Sequence, residues 1–370
     1  MELIDLSIRD FRNFSGQEFE FCGATNAILG ENGAGKTSLL EAMVVLGNLR
    51  SFRTTSLRRA VRHNEDSFRL VGTVSTGGRA YRLEQVVEMG SPITRTLSVN
   101  GVTTDVEKYL LLFPVFAITA QDRDLVNGGP EGRRSMLDRF VFLLQPTHLD
   151  QLRSYRRLLR QRNAALVGHS TDAEIEAWET PLAAAAAAII EARETGTSIL
   201  AERFQEVWTE LSPGSRIKVS MDYRSEAWSR PSGRPKKVED LYRQRYNETR
   251  TRDRQMGFTV DGPHRHDLSL KTGGRSVRYV LSSGQTKGLA AALRLATLAQ
   301  VERERNERFP VIVDDVDAEL DSAALTHLVE RLGNERQLFL SSTSERVAEL
   351  AGPHGCCIRL DTGTREPQEA

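Results

Sequence analysis

A glycine-rich segment near the start of the chain has the residue types and spacing of a phosphate-binding loop. Gly30, Gly35, Lys36 and Thr37 occur as G-x4-G-K-T, which is the complete P-loop pattern. Glycine lets the backbone wrap a polyphosphate closely, the lysine can reach the β- and γ-phosphates, and the threonine hydroxyl can bind Mg²⁺. We therefore predict a nucleotide and Mg²⁺ site in which the nucleotide-binding residues are Gly30, Glu31, Asn32, Gly33, Ala34, Gly35, Lys36, Thr37 and Ser38.

An acidic pair far along the chain can complete such a site. In VIVDDVDAELD, Asp314 and Asp315 follow an apolar run at 311–313, which predicts a buried strand ending in two carboxylates. Asp314 is predicted to hold Mg²⁺ in the manner of a Walker B aspartate, and Asp315 to orient or deprotonate an attacking water as the catalytic residue. A solvated acidic turn would explain the same two residues if the chain had no P-loop.

A third segment, LSSGQ at 281–285, opens a helix-like run of Ala, Leu and Lys. Serine and glycine are good residues for the start of a helix, and the free N–H groups of that start carry a partial positive charge. Taken alone, the segment is explained better by an ordinary capped helix than by a helix start that binds an anion.

The elements around these segments predict an α/β protein. The apolar run TNAILG leads into the P-loop and SLLEAMVVLGNL follows it with helical spacing. SFRLVGTVST and RAYRLEQVVEM, joined at Gly77-Gly78, predict a β-hairpin. The stretches 309–321 and 337–344 predict strand, helix and strand, as a parallel sheet requires.

The middle of the chain has a different residue pattern, which predicts helices. Arg, Glu, Leu and Ala with helical periodicity dominate from about residue 133 to 211, with predicted interruptions at Pro146, Gly168 and Pro181. No heptad repeat is sustained, so we predict a helical lobe rather than a long coiled coil. Residues 224–237 are predicted to form a loop, residues 238–255 a polar helix, and the C-terminal residues a disordered tail.

Composition narrows the class of protein. The chain has 370 residues with 50 basic and 50 acidic side chains, so global charge neither favours nor excludes nucleic acid as a partner. No signal peptide is evident and no apolar stretch is long enough to cross a bilayer. Cys22, Cys356 and Cys357 fit no disulfide framework and are interpreted as small buried side chains. We expect a cytoplasmic protein.

The order of the three segments, with LSSGQ between the P-loop and the acids, resembles the ABC-type ATPases and their SMC-like repair relatives. Within that group the chain resembles the bacterial RecF family of recombination mediators. The residues that carry this resemblance span nearly the whole chain: FRNF at 11–14, GENGAGKTSLLEA, RSFRT at 50–54, DLVNGGPEGRRSMLD, GPHRHDL at 262–268, SSGQTK and DDVDAELD.

The resemblance implies an ABC-type P-loop ATPase head with an inserted helical lobe. The head would comprise residues 1–130 and 256–370, and the lobe, residues 131–255, would contact DNA, partner proteins or the second copy. Ser282, Gly284 and Gln285 would aim their helix start at the γ-phosphate held by the P-loop of a second copy, so that ATP joins a homodimer.

The function implied by this resemblance is DNA repair. Such a dimer would bind gapped DNA or single-strand/double-strand junctions and act with RecO and RecR to help RecA replace single-strand-binding protein. It would be a weak, DNA-stimulated ATPase used as a switch. Hydrolysis is expected to be slow because Asp315 is one methylene shorter than the usual glutamate.

The chain departs from the family pattern at several positions. His266 stands where a second acid is usual, and Thr286 and Lys287 stand where Gln and Arg are usual. Gln121 in AITAQDRDLV is a candidate metal or γ-phosphate residue. No switch histidine follows QLFLSSTS; Ser341, Ser342 and Thr343 could bind phosphate there instead. His264 is interpreted as a loop residue, because an H-x-H pair alone does not define a zinc site.

Three basic segments are candidate DNA contacts. Residues 229–254 contain nine basic and four acidic side chains, a surplus of five, and exposed Lys and Arg neutralise phosphates without sequence preference. A solvated helix face would explain any one cluster. The arginines concerned are Arg230, Arg234, Arg243, Arg245, Arg250, Arg252 and Arg254 in the first segment, Arg153, Arg156, Arg157, Arg160 and Arg162 in the second, and Arg50, Arg53, Arg58, Arg59 and Arg62 in the third.

Three other functions remain open at this point. The ATPase subunit of a transporter would need a membrane-docking surface and a switch histidine. A phage-defence ATPase would need a nuclease partner or domain with a further acidic cluster. A P-loop phosphotransferase would leave LSSGQ without a role.

Overall fold

The computed structural model describes residues 1–168, 170–212, 217–224, 237–316, 332–333 and 335–361. The chain divides into two compact units, one made of Met1–Asp122 with Arg305–Ala370 and the other of Arg123–Glu304. The boundaries of these units follow residues 122 and 304, whereas the sequence places the ends of the lobe at 131 and 255. The predicted loop at 224–237, the helix between the two C-terminal strands and the disordered tail lie largely outside the described residues.

The described strands are β1 (Glu2–Phe11), β2 (Phe14–Glu20), β3 (Thr25–Leu29), β4 (Ser67–Thr76), β5 (Arg79–Glu88), β6 (Thr94–Val99), β7 (Val102–Thr103), β8 (Phe116–Ile118), β9 (Val219–Arg224), β10 (Asp267–Thr272), β11 (Arg275–Ser276), β12 (Val311–Val313), β13 (Leu338–Ser342) and β14 (Cys356–Arg359). The described α-helices are α1 (Lys36–Asn48), α2 (Val106–Leu112), α3 (Asp124–Asn127), α4 (Pro130–Leu144), α5 (His148–Val167), α6 (Asp172–Leu211), α7 (Val238–Met256), α8 (Ser283–Arg305) and α9 (Arg346–Leu350).

A parallel sheet forms the centre of the first unit. Its strand order is β14-β3-β13-β12-β8, and every pairing in it is parallel. All residues of β3, β12 and β13 are buried, which explains why these strands read as continuous apolar runs rather than as alternating patterns. The predicted parallel sheet is therefore confirmed, and it brings the carboxyl ends of β3 and β12 to one edge.

An antiparallel sheet with the order β2-β1-β4-β5-β6-β7 completes the first unit. The predicted hairpin at Gly77-Gly78 is confirmed, because Thr76 pairs with Arg79. Both glycines have positive φ, which a two-residue turn requires. At the other end of the sheet, β1 and β2 are joined by another two-residue turn, Arg12-Asn13, between the paired residues Phe11 and Phe14.

The second unit is mainly helical, as predicted, and includes the small antiparallel sheet β11-β10-β9, which sequence reasoning missed. The predicted interruption at Pro181 is wrong, because α6 continues through this proline. A proline inside a helix removes one backbone hydrogen bond. Buried Leu182, Ala183 and Ile189 of α6 belong to a core shared with α5 and α7, and this packing offsets the loss.

An ionic network is buried among α5, α6 and α7. Arg162 donates to Asp253 (2.7 Å) and Glu179 (2.9 Å), and Arg250 donates to the second oxygen of Glu179 (2.6 Å). Arg162 is fully buried and Arg250 is 9% exposed. The prediction that these two arginines form part of a basic surface is therefore wrong.

The cysteines are free, and Cys357 is exposed while Cys22 and Cys356 are partly exposed. The interpretation of all three as buried side chains is therefore wrong. Among the described residues, no helix has both the length and the hydropathy that a bilayer crossing needs.

Candidate nucleotide site

The P-loop connects the carboxyl end of β3 to the start of α1, as the sequence predicts. Gly35 lies at the start of α1 with a left-handed backbone, and the first turn of the helix contains no acidic residue. The positive end of the helix is therefore not neutralised by the helix itself. Lys36 is 9% exposed, and its ammonium donates to the backbone oxygens of Gly30 (2.6 Å) and Glu31 (2.9 Å), so the side chain lies folded across the loop.

Two glycines of the loop are required by close packing. A Cβ at Gly30 would lie 2.4 Å from the backbone oxygen of Leu360, and one at Gly35 would lie 2.7 Å from the side-chain nitrogen of Asn13. Gly35 also has a φ of +110°, which other residues rarely adopt. The loop is thus held between the residue after β14 and the β1–β2 turn.

The acidic pair lies at the same edge of the sheet. Asp314 follows β12, and its carboxylate accepts hydrogen bonds from the hydroxyls of Thr37 (3.1 Å) and Ser341 (2.7 Å). Burial raises the pKa of Asp314, and these two hydroxyls oppose the shift. The structure thus brings the two predicted metal residues, Asp314 and Thr37, into direct contact.

Asp315 is exposed and has a left-handed backbone, with a φ of +53°. Its N–H donates to the Ser341 hydroxyl (2.7 Å), so one serine fixes both acids. Aspartate tolerates this region of φ better than most residues. The bend leaves the Asp315 side chain lining the cleft beside Lys36.

Glu41, on α1, joins the P-loop helix to two sequence segments that the P-loop pattern does not contain. Its carboxylate is fully buried and accepts two hydrogen bonds from Arg12 (2.9 and 2.7 Å), one from Arg53 (3.2 Å) and one from Ser51. Arg12 belongs to the β1–β2 turn, and Ser51 and Arg53 belong to the segment after α1. Glu41 therefore fixes both arginines beside the P-loop.

Sequence reasoning missed Glu41 as a functional residue. The sequence did contain an indication of this role, because Glu41 is the one charged side chain in the apolar run SLLEAMVVLGNL. A buried carboxylate in such a run needs a cationic partner.

These elements enclose a cleft of about 580 Å³. Lys36, Arg12, Arg53 and Arg59 give it four cationic side chains, against the exposed carboxylate of Asp315. The remaining lining residues are Asn13, Asn32, Gly33, Gly35, Thr37, Ser38, Val61 and Ser341. The volume of this cleft and its positive charge both suit a nucleoside triphosphate.

Several predicted site residues lie elsewhere. Gln121 is exposed in the short 3-10 helix after β8 and does not line this cleft. The Ser342 hydroxyl donates to the backbone of Ser344, whereas Ser341 does line the cleft. Arg53 and Arg59, which the sequence suggested as DNA contacts, face the cleft instead.

The predicted helix start lies in the second unit and is exposed. α8 begins at Ser283, and residues 282–285 are all exposed. The Ser282 hydroxyl accepts from the N–H of Gln285 (3.3 Å), and the Gln285 side chain accepts from the N–H of Ser282 (2.9 Å). This reciprocal pair fixes the start of the helix, and its first turn contains no acid.

The GPHRHDL segment lies in the second unit and is largely buried, although Arg265 is exposed. The two ring nitrogens of His266 lie 2.9 Å from the Tyr223 hydroxyl and 2.7 Å from the Tyr242 hydroxyl, and His264 lies 2.6 Å from the Tyr155 hydroxyl. Burial lowers the pKa of His264 to about 4 and that of His266 to about 3. Among the described residues, no group of three or more potential ligands could hold a metal ion. The hydrogen bonds of His264 and His266 to tyrosine hydroxyls agree with a structural role for the segment.

A parallel sheet with a P-loop after β3, an acidic pair after β12 and a serine-led helix in a second, mainly helical unit defines an ABC-type ATPase head. The head domain of the Smc protein from Pyrococcus furiosus has the same fold, with a TM-score of 0.50 and 13% identity over 94% of this chain and 91% of that chain. The predicted fold class is therefore confirmed.

More specific relatives cover almost the whole chain. The family model for the RecF/RecN/SMC N terminal domain matches residues 2–358. The DNA replication and repair protein RecF of Pectobacterium atrosepticum is 33% identical over 367 residues, covering 98% of each chain. A solved structure of the recombination mediator protein RecF with ATP, in the RecFOR pathway, has a TM-score of 0.87 and 25% identity, covering 97% of this chain and 95% of that chain.

This chain belongs to the RecF family of DNA replication and repair proteins. The resemblance inferred from its motifs is thereby confirmed.

Proposed function

We propose that this protein is an ATP-dependent DNA-binding switch of recombinational repair. ATP and Mg²⁺ join two copies into a dimer, the dimer binds gapped or junction DNA, and slow hydrolysis releases it. In this role it would act in the cytoplasm with RecO and RecR to help load RecA. The family membership and the RecFOR pathway named for the solved relative support this assignment.

The cleft of the first unit fits a nucleotide. Its glycine cradle has no room for a side chain at Gly30 or Gly35, and the buried Asn13 side-chain oxygen has no hydrogen-bond partner in the described structure. Thr37 and Asp314 are the residues that would hold Mg²⁺, and the metal would neutralise charge on the β- and γ-phosphates. The relative solved with ATP supports the same assignment.

The protein side chains then have separate tasks. Lys36 is already folded over the loop, so a small movement of its ammonium from the backbone oxygens would direct it to phosphate. Arg12 and Arg53, fixed by Glu41, would add positive charge along the nucleotide. Asp315 would orient the attacking water, and its short side chain supports slow hydrolysis.

The main structural support for the proposed dimer is the open surroundings of Gly284. A Cβ at this position would meet no atom within 4 Å in the described part of the chain, apart from its chain neighbours and its own helix backbone. Gly284 lies in the first turn of α8, and packing within the described part of the chain does not require a glycine there. A group from outside the chain that approaches the helix start closely, such as the γ-phosphate on a second copy, would require it.

The exposed stripe on α5 is the best-supported DNA surface. Arg153, Arg156, Arg157 and Arg160 are all exposed and lie at spacings of three and four residues, so they share one helix face. Each would neutralise about one phosphate. Arg153 is paired with the exposed Asp150, as Arg245 of α7 is with Asp261 and Arg254 with Asp172, so Arg156, Arg157 and Arg160 carry the proposal.

Sedimentation velocity with and without ATP and Mg²⁺ tests the dimer. We expect wild type to dimerise only with both, and Lys36→Ala and Ser282→Arg to remain monomeric. Gly284→Ala is the sharper variant, because alanine should keep or raise the stability of the helix while obstructing the approach of the partner. If Gly284→Ala dimerises like wild type, the helix start is not at the interface.

DNA binding is tested by titrating a fluorescent gapped duplex at several salt concentrations. Replacing Arg156 and Arg157 by glutamine should lower the slope of log affinity against log salt by about two. Arg79→Gln, at the exposed β4–β5 turn, is the matched control and should leave the slope unchanged. An unchanged slope for the double variant would exclude the α5 stripe.

A further inference from the structure

Tyr279 is the most exposed large hydrophobic side chain in the described part of the chain, with 75% of its surface accessible. Its neighbour Val280 is 43% exposed. The two residues lie immediately before the serine-led start of α8. An aromatic ring left this open is unfavourable in water unless another molecule covers it.

The ring is presented on a rigid support. Tyr279 ends the short 3-10 helix Val277–Tyr279, and the N–H groups of Val280 and Leu281 both donate to the backbone oxygen of Val277 at 3.1 Å. Val277 itself is buried, and this turn packs against α3 and β10. Little conformational entropy therefore remains to be lost when the ring is covered.

The local chemistry suits a protein surface. The guanidinium of Arg278 lies 5.9 Å from the centroid of the Tyr279 ring, and exposed Val280 extends the apolar surface beside it. Tyrosine is enriched at interface positions that contribute most to binding, since it combines apolar area with a hydroxyl.

We propose that Tyr279 is a contact residue for a second copy of this chain, seated on the rim of that copy's nucleotide cleft. This inference rests on the proposed dimer. Tyr279 lies three positions before Ser282, so the Cα atoms of the two residues are within about 11 Å of each other. A surface that brings its triphosphate to Ser282 must therefore also approach Tyr279.

The rim of the cleft offers matching groups. Arg59 and the apolar side chain of Val61 line it. A guanidinium can stack on the aromatic ring, and the valine can pack against its edge. DNA is the competing occupant, because bases also stack on aromatic rings.

The test compares Tyr279→Ala, Tyr279→Phe and the control Val102→Ala, which removes another exposed side chain (70% accessible) from β7. Sedimentation equilibrium with ATP and Mg²⁺ gives the dimer Kd, and a fluorescent ATP analogue gives the nucleotide affinity of the dilute monomer. We expect Tyr279→Ala to raise the dimer Kd at least tenfold and to leave monomer nucleotide affinity within twofold. Tyr279→Phe should change the Kd by less than threefold, and the control should match wild type.

The outcomes separate this inference from the proposed function. If wild type binds ATP but never dimerises, the dimer and this contact are both wrong. If wild type dimerises and Tyr279→Ala does so with the same Kd, only the Tyr279 contact is wrong.

Photo-crosslinking identifies the occupant directly. With p-benzoylphenylalanine in place of Tyr279, we expect ATP-dependent crosslinks from one copy to the other, at residues near 12–13 and 59–61. Crosslinks only to added DNA, or only within one chain, would overturn the proposal.

Discussion

Replacing Glu41 by glutamine would test whether the buried carboxylate on α1 organises the nucleotide cleft. Glutamine keeps the shape of the side chain but loses the charge and replaces one acceptor oxygen with an NH₂ group. That group would face Arg12 or Arg53, both of which donate to the carboxylate in wild type. The variant thus leaves two guanidinium groups without their common partner.

The expected loss follows from the burial of the three groups. Removing one partner of a fully buried ion pair costs about 3–5 kcal/mol. Glu41 is fully buried, but the side chains of Arg12 and Arg53 are 18% and 37% exposed, so water recovers part of this cost. We expect the free energy of unfolding of the first unit to fall by roughly 2 kcal/mol, which lowers Tm by about 4–8 °C for a unit of this size.

Two assays separate stability from function. Thermal denaturation measures the loss of stability, and titration with a fluorescent ATP analogue well below Tm should show about tenfold weaker binding, or roughly 1.4 kcal/mol. Glu20→Gln, at an exposed position on β2, is the control and should change stability by less than about 0.5 kcal/mol.

A double-mutant cycle makes the reasoning refutable. If Glu41 acts on the cleft through Arg12, then Glu41→Gln and Arg12→Gln should show a coupling energy of at least about 1 kcal/mol. Additive effects, or a Glu41→Gln variant with wild-type stability and nucleotide affinity, would show that the carboxylate does not organise this cleft.

Three further predictions concern groups that titrate or react. His264 and His266 remain neutral in the fold, with pKa values of about 4 and about 3. The free energy of unfolding should therefore be highest above pH 6.5 and fall on acidification, by about 2 kcal/mol per histidine at pH 5. Urea unfolding followed by tryptophan fluorescence measures this, and an unchanged pH dependence in His266→Gln would contradict it. Burial raises the pKa of Asp314, so its charge costs stability as pH rises above 3.8 through the raised folded value. Asp314→Asn should therefore stabilise the nucleotide-free protein at pH 7, as a higher Tm would show, and lose Mg²⁺-dependent thermal stabilisation by ATP. A less stable variant would refute this reasoning. Asp315→Asn should abolish phosphate release while retaining the ATP-dependent dimer, and a wild-type turnover of tens per second, independent of DNA, would contradict the expected slow hydrolysis.

The sequence predicted those parts of the site whose residues are close together along the chain. The P-loop and its flanking strand and helix need only local residues, and burial on both faces made β3, β12 and β13 recognisable as apolar runs. The contact between Thr37 and Asp314 also followed, because β3 and β12 belong to one parallel sheet and their carboxyl ends lie at the same edge.

The Glu41 cluster could not be placed in the same way. It joins residues of the β1–β2 turn, α1 and the following segment, so its geometry depends on how the antiparallel sheet packs beside the P-loop helix. The sequence identified FRNF and RSFRT only as features of a resemblance.

Counting basic residues along the chain gave a wrong prediction for the arginines that are buried. On α5, Arg162 lies seven residues after buried Tyr155 and four before buried Leu166, so it shares their face. Arg153, Arg156, Arg157 and Arg160 lie on the other face and are exposed. Helical periodicity applied to the arginines themselves would have separated these two groups.

Mixing two inactive variants would test the central claim most directly. In a dimer of one Lys36→Ala chain and one Ser282→Arg chain, one composite site keeps both the intact lysine and the intact serine. We predict that each variant alone has almost no ATP hydrolysis and that an equimolar mixture recovers roughly a quarter to a half of wild-type activity, as expected for one working site in a two-fold dimer. A mixture no more active than the sum of its separate variants would contradict a nucleotide site shared between two copies.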